Sequence, residues 1–260
     1  MPLRRFRLVP PRSIERDVVS LALSDEQRID VQRVRDPRAK RIKLSVDERG
    51  ARLTLPLRAS VSAGQLFLVQ HRQWLAEQLA QLDGDMALPA LVHGQTAALP
   101  LREAMLPLHW RQARYAKLEL LDQAIVFHLP ERASSATLTR SLREFYEAQA
   151  RADVGRWLPT YLPGLPRAPA RLRLKVMSTQ WGSLSPDGSL TLDLSLVLGR
   201  PSAFEYVLVH ELCHLVHANH SKEFWHEVEA RFPAWREERD YFHAHGRRLK
   251  ARLRRLLQPE

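Results

Sequence analysis

Two histidines and a glutamate near the C-terminal end stand at a spacing that suits metal chemistry. The segment from His210 to His214 reads His-Glu-Leu-Cys-His, which is the pattern H-E-x-x-H. Residues four apart lie one above the other on a helix, so both imidazoles can face one ion. Glu211 is rotated by about 100° from His210, so its carboxylate can reach a water on that ion. Because zinc lowers the pKa of such a water toward ~7, the pattern predicts a zinc-dependent hydrolase with Glu211 as general base.

A catalytic zinc ion usually takes three protein ligands and keeps one position open. His217 is a poor third ligand because seven residues of helix separate it from His210 by roughly 10 Å. His220 follows His214 with five residues between them, a spacing that works where the helix ends and the chain turns back at Asn219. The sequence therefore predicts zinc on His210, His214 and His220. The alternatives for the third ligand lie on the next predicted helix: Glu223, His226 and Glu227.

The elements around this motif can be predicted from the same sequence. The helix that carries the motif is expected to begin at Ser202, which forms a capping box with Glu205. Two strands are predicted before it, at 172–178 and 189–194, with the turn Pro186-Asp187-Gly188 between them. An earlier helix is predicted over 136–158, and a proline-rich extended connector follows that helix.

The N-terminal half has strand patterns with one helical stretch. Residues 41–57 alternate apolar and polar side chains around a turn, which predicts a hairpin, and 62–82 repeat apolar residues at helical spacing. Short strands are predicted over 85–130, and no clear internal repeat is found. The predicted fold class is α+β: a β-rich N-terminal region with one helix over 1–130, followed by a metal-binding catalytic domain over 131–260.

Composition is that of a soluble globular protein. The 260 residues are 45% hydrophobic and 27% charged. No apolar run reaches the roughly 18 residues that a membrane span needs, and the basic N-terminus lacks the apolar core of a signal peptide. Cys213 is the single cysteine, which excludes an internal disulfide and favours a reducing, cytoplasmic location.

Positive charge is concentrated at the two ends of the chain. Residues 1–60 hold 15 Lys and Arg against 8 Asp and Glu, and residues 241–260 hold 6 against 1, within a net charge of +11. Such ends can bind phosphates, which makes contact with a nucleic acid or a nucleotide an alternative to a solvated basic surface.

The predicted substrate is a peptide or protein, and the sequence leaves the oligomeric state open. Alternatives are hydrolysis of nucleotides or other phosphate compounds, and a nucleic-acid-associated protein with a structural zinc.

The segment around the motif resembles a known family. His210-Glu211-Leu212-Cys213-His214-Leu215, followed by 219–225 (Asn-His-Ser-Lys-Glu-Phe-Trp), is similar to the YgjP-like metallohydrolases, which are relatives of the SprT-like zinc peptidases. The resemblance extends over about residues 38–240. Its further matching stretches are Arg41-Ile42-Lys43-Leu44-Ser45-Val46, Gln73-Trp74-Leu75, Trp181-Gly182-Ser183 and Tyr206-Val207.

The resemblance implies a zincin-like catalytic domain that holds zinc on His210, His214 and His220, with Glu211 as general base. It also implies that Trp181-Gly182-Ser183 lies near the site. The chain departs from the family at Leu184, where the family usually has cysteine. Zincins often pair an extended peptide with an edge strand near the site, and the strand predicted at 189–194 precedes the zinc helix.

Several neighbours of the motif have simpler structural interpretations. For Trp181, packing on the core is the favoured interpretation and lining a substrate cleft is the alternative. For Ser183, a turn residue is favoured and an oxyanion donor is the alternative. Phe224 and Trp225 are expected to close the core around the ligand turn. Cys213 is expected to be a small buried residue and not a reactive thiol.

Overall fold

The computed structural model describes residues 14–24, 27–47, 50–86 and 90–258. They form two compact units, and the chain passes from the first to the second between Asp85 and Met86. Each unit has a hydrophobic core of its own. Within the described residues, no helix combines the length and the apolar character needed to cross a lipid bilayer.

The first unit is a four-stranded sheet followed by two helices. Its core contains Val31, Leu53, Leu55, Leu68 and Leu75, each fully buried. The hairpin predicted over 41–57 is confirmed, but the helix predicted over 62–82 is interrupted at His71, which ends the first helix. The elements are β1 (Glu15–Ala22), β2 (Arg28–Arg35), β3 (Lys43–Asp47), β4 (Gly50–Leu55), α1 (Val61–Gln70) and α2 (Arg72–Met86), and the strands lie in the order β1-β2-β4-β3.

The second unit contains a four-stranded sheet, a three-stranded sheet and four α-helices. The first sheet has the order β5-β6-β8-β7 and the second the order β10-β11-β9. A short 3-10 helix, Leu194–Leu198, precedes α4. The elements are β5 (Ala98–Leu101), β6 (Ala104–Gln112), β7 (Lys117–Leu121), β8 (Ala124–Leu129), α3 (Ser135–Tyr161), β9 (Arg171–Lys175), β10 (Gly182–Leu184), β11 (Ser189–Asp193), α4 (Pro201–Cys213), α5 (Lys222–Arg231) and α6 (Trp235–Leu256).

The two four-stranded sheets have the same topology. In each, two antiparallel hairpins join through a parallel pair, β2 with β4 and β6 with β8. Both sheets are followed by Leu-Pro-x-Arg-Ala-Ser, at 55–60 and at 129–134. The two serines, Ser60 and Ser134, accept a backbone N–H as N-caps of α1 and α3. The chain thus has an internal structural repeat. Sequence analysis missed it because few residues besides this short segment are shared.

The boundary between the compact units lies between Asp85 and Met86, whereas the sequence predicts a boundary between residues 130 and 131. Strands β5 to β8 share one core with the helices that follow them. The hydroxyl of Tyr146 on α3 donates to the carbonyl of Pro100, and Arg102 forms an ion pair with Asp153 at 2.8 Å. Because of these contacts, residues 91–129 pack with the C-terminal unit. The sequence did not reveal this, since a strand pattern shows which face of a strand is apolar but not which helix covers that face.

Four details of the elements before α4 differ from the prediction. The turn at 185–188 joins β10 to β11, whereas β9 and β11 are parallel neighbours. Strand β10 was not predicted, because three residues are too short for a periodic pattern. The strand order places β11 in the centre, so the edge strands of this sheet are β9 and β10. Helix α3 continues through Pro159 to Tyr161 before the proline-rich connector begins.

Candidate metal centre

Helix α4 brings the first two histidines and Glu211 to the surface of the second core. It begins at Pro201, one residue before the predicted Ser202, and its N-cap Arg200 makes no side-chain capping bond. Arg200 instead donates to Glu238 on α6 at 2.7 Å, which fixes the start of α4 from outside. The helix is buried on several sides because Phe204, Val207, Leu208 and other apolar residues face the core. His210 and Glu211 lie in its last turn, and His214 is its C-cap.

The structure brings His210, His214 and His220 together. One ring nitrogen from each lies within 4.8 Å of the other two. The Nε2 atoms of His210 and His220 are 3.1 Å apart. Two nitrogens on a tetrahedral zinc ion, each about 2.05 Å from it, would be roughly 3.3 Å apart. The separation and the imidazole donors therefore fit a zinc ion.

His217 contributes through its backbone. Nδ1 of His214 lies 3.0 Å from the carbonyl oxygen of His217, so Nδ1 carries the proton and donates it to that oxygen. This bond leaves Nε2 of His214 with the free lone pair that a metal ligand needs. The other three sequence candidates, Glu223, His226 and Glu227, lie outside the histidine group, which is the only such group among the described residues.

The turn that carries His220 is held by short-range hydrogen bonds. The side chain of Asn219 accepts the backbone N–H of Ser221 at 3.2 Å, and Ser221 in turn caps α5 by accepting from Phe224. An Asx turn followed by an N-cap fixes the backbone on both sides of His220. Asn219 thus acts in this turn through its side chain. Its backbone does not adopt the left-handed conformation in which asparagine can end a helix.

Aromatic rings pack beneath and beside the three histidines. Phe224 is fully buried and its ring centroid lies 4.6 Å from His214, 5.0 Å from His210 and 4.8 Å from His220. Trp225 stacks on Trp235 with centroids 4.5 Å apart. Phe224 therefore forms the floor of the histidine cluster, while Trp225 packs against α6 and also lines the adjacent cleft.

Burial sets the protonation states at this site. It lowers the pKa of His210 to about 3, with further contributions from His214 and His220, and it also lowers the pKa of His220. The neutral imidazole is the form that binds a metal ion. Burial raises the pKa of Glu211 to about 7, and a hydrogen bond from the backbone N–H of Leu184 opposes this rise in part. A carboxylate with a pKa near neutrality suits a general base.

Strand β10 lies directly against Glu211. A β-carbon built on Gly182 would stand 2.6 Å from Cγ of Glu211, which real atoms do not tolerate. The backbone N–H of Leu184 donates to the same carboxylate. The Trp181-Gly182-Ser183 segment thus lies at the site, as the resemblance implied. At position 184 the backbone makes this contact, so leucine can replace the family cysteine there without losing it.

A cleft of about 980 Å³ opens over the histidines. Its lining includes Trp181, so this ring both packs on α6, with its centroid 4.5 Å from Phe242, and faces the cleft. Ser183 also lines the cleft. Glu211 is the only carboxylate among the described residues of the lining, whereas Arg167 and Arg239 supply positive charge. The arrangement offers three imidazole nitrogens that could hold a metal ion, a buried carboxylate and room for an extended substrate.

Comparison with known proteins identifies the class of protein to which the chain belongs. The family model described as YgjP-like, metallopeptidase domain, matches residues 40–245, and the chain belongs to that family. The family implies a divalent metal ion. The crystal structure of the metallopeptidase zymogen of Pyrococcus abyssi abylysin is similar over 39% of this chain and 92% of that chain, with 26% identity and a TM-score of 0.28. A search of curated proteins found no match.

Some contacts at and near the site had no signal strong enough to be found in the sequence. Leu184 acts through its backbone N–H, which any residue type would provide. Lys250 and Asp193 meet in a buried ion pair at 3.0 Å although 57 positions separate them in the sequence. The glycine of the Trp181-Gly182-Ser183 segment was noticed by resemblance, but its contact with Glu211 depends on the packing of β10 on α4.

Proposed function

We propose that this chain is a zinc-dependent metallopeptidase in which His210, His214 and His220 hold the ion and Glu211 is the general base. The observation that carries the proposal is the cluster of three imidazole nitrogens within 4.8 Å of one another, with the buried carboxylate of Glu211 on the same cleft. Membership of a metallopeptidase family supports a peptide or protein as the substrate.

Each side chain has a defined task in this proposal. A bound zinc ion supplies Lewis acidity, which polarises the scissile carbonyl and makes a water more acidic. Glu211 accepts the proton of the attacking water and then passes it to the leaving amine. Its pKa of about 7 lets it hold the proton between these two events. The Nδ1–H bond from His214 to the carbonyl of His217 keeps the His214 ring oriented throughout.

Strand β10 offers a place for the substrate backbone. It is an edge strand of its sheet, and Gly182, Ser183 and Leu184 all line the cleft. An extended peptide can add to such an edge by main-chain hydrogen bonds, which bind without reading the side chains. In this proposal the substrate lies along β10, next to Glu211. The hydroxyl of Ser183 remains a candidate donor to the substrate.

The test separates metal binding from catalysis. Zinc content is measured in purified wild type, Glu211→Gln and His220→Ala, together with hydrolysis of a panel of unfolded proteins and peptides. We expect about one equivalent of zinc in wild type and in Glu211→Gln, and strongly reduced zinc in His220→Ala. Only wild type should hydrolyse. Full hydrolysis by a Glu211→Gln protein that retains zinc would contradict the mechanism, and full zinc in His220→Ala would contradict the ligand set.

Hydrolysis of a nucleotide or another phosphate compound is the second candidate function. The cleft supports it through Arg167 and Arg239, which are its only described cations of permanent charge. Arginine binds phosphate oxygens well. The test is release of phosphate or pyrophosphate from a nucleotide panel by the same three proteins. Turnover of nucleotides without any peptide cleavage would replace the first proposal.

A nucleic-acid partner at the basic ends is a weaker alternative. Residues 1–13 lie outside the described residues. In the C-terminal segment Lys250 is buried and paired with Asp193, and Arg254 donates to the carbonyl of Met177, so part of the charge serves packing. Nucleic-acid binding with a steep salt dependence would support this alternative. A cytoplasmic location, predicted from the presence of a single cysteine, stays part of the proposal.

A further inference from the structure

Lys250 and Asp193 form a buried ion pair in the second unit. The Nζ of Lys250 lies 3.0 Å from Oδ2 of Asp193, and the side chains are 10% and 1% exposed. Lys250 belongs to α6 and lies beyond the residues matched by the family model, whereas Asp193 ends strand β11. Removing two charges from water is costly, and apolar residues of similar volume often stabilise a core as well or better. The pair therefore calls for an explanation besides stability.

Both partners bind the backbone of the loop at 176–181, which connects β9 to β10. Lys250 Nζ donates to the carbonyls of Met177, at 3.1 Å, and Gln180, at 2.9 Å. Oδ2 of Asp193 accepts the N–H of Met177 at 2.6 Å, and the N–H of Asp193 donates to the carbonyl of Trp181 at 2.8 Å. The other carboxylate oxygen of Asp193 accepts the N–H of Ser195 at 2.9 Å.

Apolar packing holds this loop mainly at its C-terminal end, where Trp181 packs against the core. Val176 is 36% exposed, and residues 178–180 are exposed. Residues 176–180 are therefore held by polar contacts, which come from Lys250 and Asp193 and from Arg254, whose guanidinium donates to the Met177 carbonyl at 3.3 Å. Burial lowers the pKa of the Lys250 ammonium, and the neighbouring Asp193 carboxylate opposes this lowering.

A continuous series of close contacts leads from this loop to the proposed base. The ring of Trp181 lies between α6 and β10, with the Nζ of Lys250 4.0 Å from its centroid. On the α6 side, a β-carbon at Gly246 would stand 2.6 Å from Cζ2 of this ring. A β-carbon at the next residue, Gly182, would stand 2.6 Å from Cγ of Glu211. The backbone N–H of Leu184 donates to the Glu211 carboxylate. A shift of the loop would therefore move the groups that contact Glu211.

We propose that Lys250 and Asp193 are positioning residues, which hold the loop at 176–181 so that β10 orients Glu211 and presents its edge to the substrate. The inference rests on the proposed function for its catalytic consequence. Its structural part, restraint of the loop by the ion pair, is independent of that function.

The experiment compares Lys250→Met with wild type and with Arg102→Met. The control breaks another ion pair of the same unit, in which Asp153 is 2% exposed, but Arg102 does not line the cleft. Hydrogen exchange of the peptide that covers 176–184 is measured by mass spectrometry, together with zinc content, kcat and KM. We expect faster exchange of this peptide and a fall in kcat of at least tenfold in Lys250→Met, with zinc content unchanged. Arg102→Met should lose stability without either effect.

Lys250→Arg supplies a second variant, since a cation at this position can still pair with Asp193 and should recover part of kcat. Unchanged exchange over 176–184 in a folded Lys250→Met protein would overturn the proposal, as would an equal fall in kcat in Arg102→Met. If exchange rises as expected but wild type cleaves no peptide, the positioning contact stands and the proposed peptidase function fails. If wild type cleaves and Lys250→Met keeps full kcat despite faster exchange, the positioning role fails alone.

Discussion

Gly182 lies so close to Glu211 that a β-carbon at position 182 would stand 2.6 Å from Cγ and 2.7 Å from Oε1 of that side chain. We predict that Gly182→Ala displaces the carboxylate and lowers kcat by at least tenfold, because misplacement of a base by 1 Å can reduce a rate by about 10²-fold. Zinc content should remain near that of wild type, since the histidines do not touch this position. Steady-state kinetics and elemental analysis of the same preparations provide the measurement.

Gly155→Ala is the matched control for this substitution. Gly155 lies within helix α3, and a β-carbon there would meet nothing within 4 Å. The change should leave activity intact and stabilise the protein by about 0.4–1 kcal/mol. Equal activity in both variants would show that the Gly182 contact is not needed for catalysis.

Phe224 supports all three histidine rings, so its replacement should affect the metal. We predict that Phe224→Leu weakens zinc affinity by roughly tenfold, as loss of contacts that orient ligands commonly does. The free energy of unfolding should fall by no more than about 1.5 kcal/mol, because leucine fills most of the volume of the phenylalanine side chain. Competition with a chromophoric chelator measures the affinity.

Phe204→Leu supplies the comparison, since Phe204 is also buried, in α4, but its ring packs against Trp157, 5.3 Å away, and not against a histidine. It should lose similar stability and keep the zinc affinity of wild type. A parallel loss of affinity in both variants would assign the effect to general loosening of α4.

Glu211 should make the stability of the metal-free protein depend on pH. Burial raises its pKa to about 7, so the folded state binds this proton more tightly than the unfolded state, where the pKa has its ordinary value of 4.5. Its contribution to stability is present below pH 4.5 and is lost as the pH rises to about 7, a change of up to about 3 kcal/mol. Glutamine does not titrate, so the stability of Glu211→Gln relative to wild type should increase as the pH rises from 4.5 to about 7.

Urea unfolding in the presence of a chelator, at pH 4.5 and pH 8, tests this prediction. His210 has the opposite effect, because its lowered pKa of about 3 makes acid destabilising between pH 6.5 and 3. That effect is common to both proteins and cancels in the difference between them. A difference that is the same at both pH values would contradict the raised pKa of Glu211.

Arg239 should bias the cleft toward acidic substrates. It lines the cleft and has no carboxylate partner among the described residues, and Glu211 is the only described carboxylate there. We predict that Arg239→Glu lowers kcat/KM for a peptide with Asp or Glu beside the cleaved bond by about tenfold and raises it for the Lys counterpart, an effect that salt reduces. Peptide pairs of equal length at two ionic strengths provide the measurement.

Arg140→Glu is the control for net charge, because Arg140 is exposed on α3 and does not line the cleft. This variant should leave the ratio of the two peptides unchanged. The same change of ratio in both variants would mean that total charge, and not the cleft, selects the substrate.

Local spacing was sufficient to predict the helix with His210 and Glu211 and the approach of His220. A helix places residues four apart on one face whatever surrounds it, and a turn after the helix leaves few positions for a third ring. The same reasoning predicted the hairpin over 41–57 and the helix over 136–158, because their apolar periodicity extends over many residues.

Contacts between distant segments required the tertiary structure. The sequence shows neither that β10 packs on α4 nor that Lys250 reaches Asp193, since both depend on which sheet edge and which helix face meet. The repeat of the four-stranded sheet was hidden because backbone groups, which nearly every residue type supplies alike, make the hydrogen bonds that define a sheet's topology. The sequence alone thus determined the candidate ligands and base, through local geometry. Only the fold decided what touches Glu211, because those contacts arise from packing between elements remote along the chain.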